Sequence, residues 1–123
     1  MESKPAIQAL AALAQESRLA VFRLLVQAGP TGVSAGEIAA DLKLPPATLS
    51  FHLKELSHAN LVLARQQGRF VFYSANFEHM GALVAFLTEN CCVRDGVSCV
   101  PKANCRPAEE ARSVKPKRKG VKT

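Results

Sequence analysis

No apolar run in this 123-residue chain approaches the ~20 residues that a membrane helix needs, although 48% of the residues are hydrophobic. The opening MESKPAIQALAALAQ lacks a basic segment followed by a solid apolar core, so it does not read as a secretory signal. A cytoplasmic protein with no membrane partner is expected. The chain also lacks a glycine-rich phosphate loop, a nucleophile–base pair and a pair of carboxylates, so no catalysis is expected. Charge imbalance is missing from most of the chain. The net charge is +6, but residues 101–123 hold eight basic and two acidic groups and account for all of it. The high isoelectric point therefore gives no reason to assign nucleic-acid binding to the folded part. A binding patch there must come from local asymmetry. Finally, the first 90 residues contain no cysteine.

What is present centres on SAGEIAADLKLPPATLSFHLKELSHAN, residues 34–60. Ser34 and Glu37 form an S-x-x-E capping box, which predicts a helix from about Ala35 to Leu42. Ile38, Ala39 and Leu42 share its inner face. Leu44-Pro45-Pro46 breaks the pattern, because proline is accepted in a first helical turn but not in a helix interior. A second helix follows, with Leu49, Leu53 and Leu56 as one buried stripe. Thr48, Ser50, His52 and Lys54 occupy its other faces, and Asn60 suits a left-handed helix stop. This spacing is that of a helix-turn-helix, whose second helix enters the DNA major groove.

The flanking segments fit that reading. Pro5–Ala14 is a short helix with Ile7, Leu10, Leu13 and Ala14 at helical spacing, and it suits docking on a core or on a partner subunit. Ser17–Ala28 is a stronger helix, with Leu19, Phe22, Leu25 and Val26 as its core stripe. Gly29-Pro30-Thr31-Gly32 ends it. Leu61–Ala75 changes to a two-residue period and breaks at Gln67-Gly68, which predicts a β-hairpin with Arg65 and Arg69 at its tip. A hairpin placed there is a wing whose arginines can reach phosphate or the minor groove. Asn76 to about Asn90 is a last helix, capped by Asn76, with Met80, Leu83, Val84 and Leu87 as an apolar stripe. Its surplus apolar surface, paired with the first helix, predicts a two-fold dimer. The expected fold is therefore mainly α with a β-hairpin (α+β), a winged helix-turn-helix that dimerises through its first and last helices. Residues 1–92 form that domain, 93–106 a cysteine-containing loop and 107–123 a basic disordered tail. His58 and His79 read as ordinary surface or edge residues.

All four cysteines, Cys91, Cys92, Cys99 and Cys105, fall within fifteen residues as C-C-x6-C-x5-C. In a cytosolic protein, clustered thiols point to metal binding or redox chemistry rather than to structural disulfides. The spacing is not the paired C-x2-C of a structural zinc site. Three thiolates with no nearby histidine favour a soft, thiophilic ion.

The motifs SRLAVFRLL, SFHLKEL, the hairpin ending in Tyr73 and TENCC resemble the ArsR/SmtB family of metal- and metalloid-responsive repressors over about residues 5–92. TENCC followed by further cysteines is similar to the arsenic-sensing branch whose site lies at the end of the last helix. That resemblance implies a homodimer that leaves operator DNA when trivalent arsenic binds three thiolates. Cys91 and Cys92 would be two ligands, with Cys99 (or Cys105) the third. Thr48, Ser50, His52, Lys54, Arg65 and Arg69 would contact DNA. GEIAADL lacks the C-x-C of other arsenic sensors in the family, and the last helix lacks the D-x-H of its zinc sensors. A thiol-redox sensor, a sensor of zinc, cadmium or lead, and a metal-buffering protein are the competing readings.

Overall fold

Ser34 caps a helix as its context predicts. Its Oγ accepts from the Glu37 backbone N–H at 3.3 Å, while the Glu37 carboxylate accepts from the Ser34 N–H at 3.4 Å. A computed structural model, which describes residues 1–94, places this cap at the centre of eight elements. They are α1 (Ser3–Leu13), α2 (Glu16–Ala28), β1 (Val33–Ser34), α3 (Ala35–Leu42), α4 (Pro46–His58), β2 (Val62–Gln67), β3 (Phe70–Ala75) and α5 (Phe77–Leu87). All lie within one compact unit, Met1–Asn90; the chain from Cys91 onward belongs to a second. The architecture is an α+β winged helix-turn-helix, as the sequence predicts.

The turn between α3 and α4 is closed by backbone geometry. Lys43 adopts a left-handed conformation (φ 55°), and the Leu44 N–H returns to the Ala39 carbonyl at 3.0 Å. Pro46 then opens α4 at a position whose N–H has no helical partner to lose. At the far end Asn60 is left-handed (φ 63°). The Leu61 N–H bonds to the Leu56 carbonyl and the Asn60 N–H to the Ser57 carbonyl, both at 3.0 Å. These two bonds are the Schellman closure, which satisfies carbonyls that a helix end otherwise leaves open. Between these stops Leu49, Leu53 and Leu56 are buried against Val21, Phe22 and Leu25 of α2 and Ile38 of α3.

Three expectations need correction. In α2 the buried set is Val21, Phe22 and Leu25, and Leu19 is exposed. The wing has three strands: β1 pairs antiparallel with β3, Val33 opposite Tyr73 and Ser34 opposite Phe72, in the order β1-β3-β2. Gly32 makes this pairing possible. It has φ +86°, and a Cβ there would lie 2.7 Å from the Tyr73 carbonyl oxygen. In α1 the buried residues are Ala6 and Ala9, whereas Ile7 is 64% and Leu10 42% exposed. Two alanines hold the fully buried positions, Leu13 packs on the core in part, and Ile7 and Leu10 face out.

The Asn76 side chain caps α5, accepting from the His79 N–H at 3.2 Å. The helix ends at Leu87 rather than near Asn90. Leu83 is buried and Met80 and Phe86 pack on the core, but Leu87 is 56% exposed.

Candidate nucleic-acid interface

An α-helix turns about 100° per residue, so residues two apart do not share a face. The leucine stripe of α4 fixes its inner side. The opposite side carries Ala47, Ser50, Phe51, Lys54 and His58, all exposed. Thr48 is exposed on the flank of this face. Sequence reasoning missed Phe51, which is 54% exposed at its centre. The signal was available, because Phe51 lies across the helix from Leu49, Leu53 and Leu56.

His52 is not on this face. It is 7% exposed, and its Nδ1 is buried without a hydrogen-bond partner among the described residues. The helix turn puts it beside the leucine stripe, so the expected DNA-facing role is corrected to an interior one. Its ring packs at 5.8 Å from that of Phe51, tilted by 57°. Burial pushes its pKa below the usual 6.5, and the Arg18 charge pushes it further the same way. The Arg18 side chain is itself fixed, its Nε donating to the Ala12 carbonyl at 2.8 Å.

The wing separates its two arginines. Gln67 pairs with Phe70, leaving a two-residue loop of Gly68 and Arg69 with Gly68 at φ +65°. A positive φ at the first loop position suits the twist of a tight hairpin. Arg69 is exposed in this loop, so its placement at the tip is as expected. Arg65 instead lies on β2 opposite Phe72. One guanidinium nitrogen donates to the Thr31 carbonyl at 3.3 Å and to Gln67 Oε1 at 3.4 Å, and the group lies 5.3 Å from the Phe72 ring centroid. That is a cation–π distance, so Arg65 is held along the strand rather than at the tip.

In the second unit the Sγ atoms of Cys91 and Cys92 lie 3.3 Å apart, and both residues are half-buried. Cys92 has φ 58°, a conformation that costs a non-glycine residue roughly 1–2 kcal/mol. Cys99 and Cys105, most of the expected 93–106 loop and the basic tail lie outside the described residues. Among the described residues no cluster of three His, Cys, Asp or Glu could hold a metal ion. A third thiol ligand would have to come from beyond them.

Comparison with known proteins places this geometry. A helix-turn-helix domain model matches residues 13–64, which runs from the end of α1 into β2. The arsenical resistance operon repressor of Bacillus subtilis (strain 168) is 33% identical over 86 residues, covering 70% of this chain and 78% of that protein. The chain belongs to the ArsR family of helix-turn-helix transcriptional regulators. Solved structures agree with this assignment. HlyU from Vibrio cholerae N16961 shares 31% identity at a TM-score of 0.59, over 75% of this chain and 99% of that one. A homodimeric winged helix-turn-helix DNA-binding domain from Mycobacterium bovis, a possible ArsR-family regulator solved by solution NMR, shares 25% identity at a TM-score of 0.57. It covers 78% of this chain and 89% of that one.

As an ArsR-family regulator the protein is a DNA-binding transcription factor rather than an enzyme. The domain match spans α2, α3 and α4, so the exposed face of α4 lies within the matched helix-turn-helix domain. No helix among the described residues is long and apolar enough to cross a membrane.

Proposed function

We propose that this ArsR-family protein is a cytoplasmic homodimeric repressor that releases its operator when trivalent arsenic binds Cys91, Cys92 and a third thiolate from Cys99 or Cys105. The observation that carries the reading is the 3.3 Å approach of the Cys91 and Cys92 sulfurs, four and five positions after the end of α5 at Leu87. Two thiolates that close can share one soft ion, and thiolates are the ligands such ions prefer. The arsenical repressor relative supports a metalloid inducer.

The DNA contacts follow from which side chains are exposed. Ser50 and Lys54 enter the major groove from the outer face of α4, with Thr48 at its rim. Arg69 reaches phosphate or the minor groove from the wing loop, and Arg65 flanks the backbone from β2. His52 keeps to the interior. The dimer forms through α1 and α5, whose exposed Ile7, Leu10 and Leu87 have no cover within the described chain. The homodimeric NMR relative is consistent with this arrangement. A two-fold axis places two copies of α4 in major grooves about one helical turn apart, roughly 34 Å. An ion gathered just past α5 constrains the chain that leaves the dimer helix and thereby the spacing of the two α4 helices. Linkage is reciprocal, so arsenite weakens DNA binding by the factor by which DNA weakens arsenite binding. That factor is roughly 5- to 150-fold for coupled sites.

The test is fluorescence anisotropy of the full chain on the duplex upstream of its own gene, with arsenite, zinc and peroxide titrated separately. Arsenite should release the wild type and leave Cys91→Ser/Cys92→Ser bound. Release by peroxide alone would replace the metalloid by thiol oxidation, and release by zinc alone would replace it by a harder ion. Either result would leave the DNA-binding assignment intact.

A further inference from the structure

We propose that Phe51 reads thymine in the operator through the base's C5-methyl group. The inference deepens the DNA-binding reading above and rests on it. A single exposed phenylalanine on a protein surface is ordinary and indicates nothing by itself. This one differs in its surroundings. It is 54% exposed at the middle of the outer face of α4, one residue from Ser50 and one helical turn from Ala47 and Lys54. Its neighbours thus supply a hydroxyl, a cation and a methyl, three groups that suit a base edge and its phosphate. Exposure of a large ring on the one face meant for the major groove leaves apolar surface in water until DNA arrives.

The ring lies beside that of the buried His52, with centroids 5.8 Å apart and a 57° tilt. In the major groove the only apolar feature of a base-pair edge is the thymine methyl, and phenylalanine and alanine are the side chains that meet it. Ala47, exposed one turn toward the N-terminus of α4, continues the same apolar strip and suits a neighbouring methyl. Lys54 and Ser50 can contact phosphates or several different bases, so they fix register more than sequence. Phe51 is therefore assigned as the side chain that discriminates thymine from cytosine at its position in each half-site.

The experiment starts by selecting binding duplexes from a randomised library with the full-length protein. The selected duplex is then remade with each thymine replaced singly by uracil, which removes the methyl and keeps the pairing. Binding is measured by anisotropy for the wild type and for Phe51→Ala. At one position per half-site, uracil should weaken the wild type roughly 3- to 5-fold, the loss expected for exposing one buried methyl. The alanine methyl stops several ångströms short of where the ring reaches, so the Phe51→Ala protein should bind thymine and uracil duplexes equally at that position and should unfold at the wild-type temperature. The proposal is overturned if the wild type is indifferent to uracil everywhere. It is equally overturned if Phe51→Ala retains the full uracil penalty. A selection that returns no sequence would overturn this proposal and the DNA-binding reading together, whereas a selected motif without a methyl effect would overturn only this one.

Discussion

Helix α4 and the pair α1/α5 use apolar residues in opposite ways. In α4 every leucine is buried, and most of what points outward is small or polar, Phe51 excepted. In α1 and α5 few residues are fully buried, Ala6 and Ala9 in one and Leu83 in the other, with Leu13, Phe77, Met80 and Phe86 packed on the core only in part. Ile7, Leu10 and Leu87 face water. A core that closes within one chain surrounds the helix-turn-helix, while the terminal helices leave theirs open. The contrast teaches that the proposed reading head and the proposed assembly surface are separate parts of the fold. One needs a rigid inner packing to hold its outer face in register. The other needs apolar surface in reserve, which a second copy covers in the proposed dimer.

The largest expected effect tests the closed side. Leu56 is fully buried on α4, and Leu56→Ala should lower unfolding free energy by about 3 kcal/mol, within the range for leucine cavities. Urea titration at several protein concentrations should show the same loss at each. The proposed open side should behave differently. Ile7→Glu with Leu10→Glu places four new charges at a two-fold interface and should raise the dimer dissociation constant roughly 100-fold, about 2.7 kcal/mol, in sedimentation velocity. Helical circular dichroism of the separated chains should be unchanged, because neither residue is in the core. If the double variant unfolds the monomer, or leaves the dimer intact, the two regions do not divide in this way.

Local signals made the reading head legible in the sequence. The capping box at Ser34 and Glu37, the proline start at Pro46, the Leu49–Leu53–Leu56 stripe and the left-handed stop at Asn60 are each decided within a few residues. Other features needed distant partners. Strand β1 is only two residues long and exists because Val33 and Ser34 meet Tyr73 and Phe72, about forty positions away. Which side of α1 faces inward does not follow its hydrophobicity. Alanines won the interior there, although Ile7 and Leu10 carry more apolar surface. The error on α4 had a different source. Thr48, Ser50, His52 and Lys54 alternate as strand residues would, and a helix of about 100° per residue sends His52 inward and brings Phe51 out. The cysteine cluster was visible as a pattern. The structure adds the contact between the first two sulfurs, and the other two lie beyond the described residues.

The smallest effect concerns the histidine that joins the two sides of α4. His52 is buried with an Nδ1 that has no partner among the described residues, and burial first, then Arg18, lowers its pKa below 6.5. The folded state therefore disfavours the imidazolium, while the unfolded chain takes up a proton near 6.5. Stability from this group is present in full above that pH and drains away as pH falls through 6.5 toward the lowered folded value. The slope for one proton cannot exceed about 1.4 kcal/mol per pH unit. Urea midpoints measured from pH 7.5 down to 5 should fall for the wild type, and His52→Leu should flatten that fall. A variant with the same slope as the wild type would assign the proton uptake to another group. Because the His52 ring lies beside that of Phe51, DNA affinity should weaken over the same interval in the wild type. In His52→Leu it should vary less, since the leucine carries no proton.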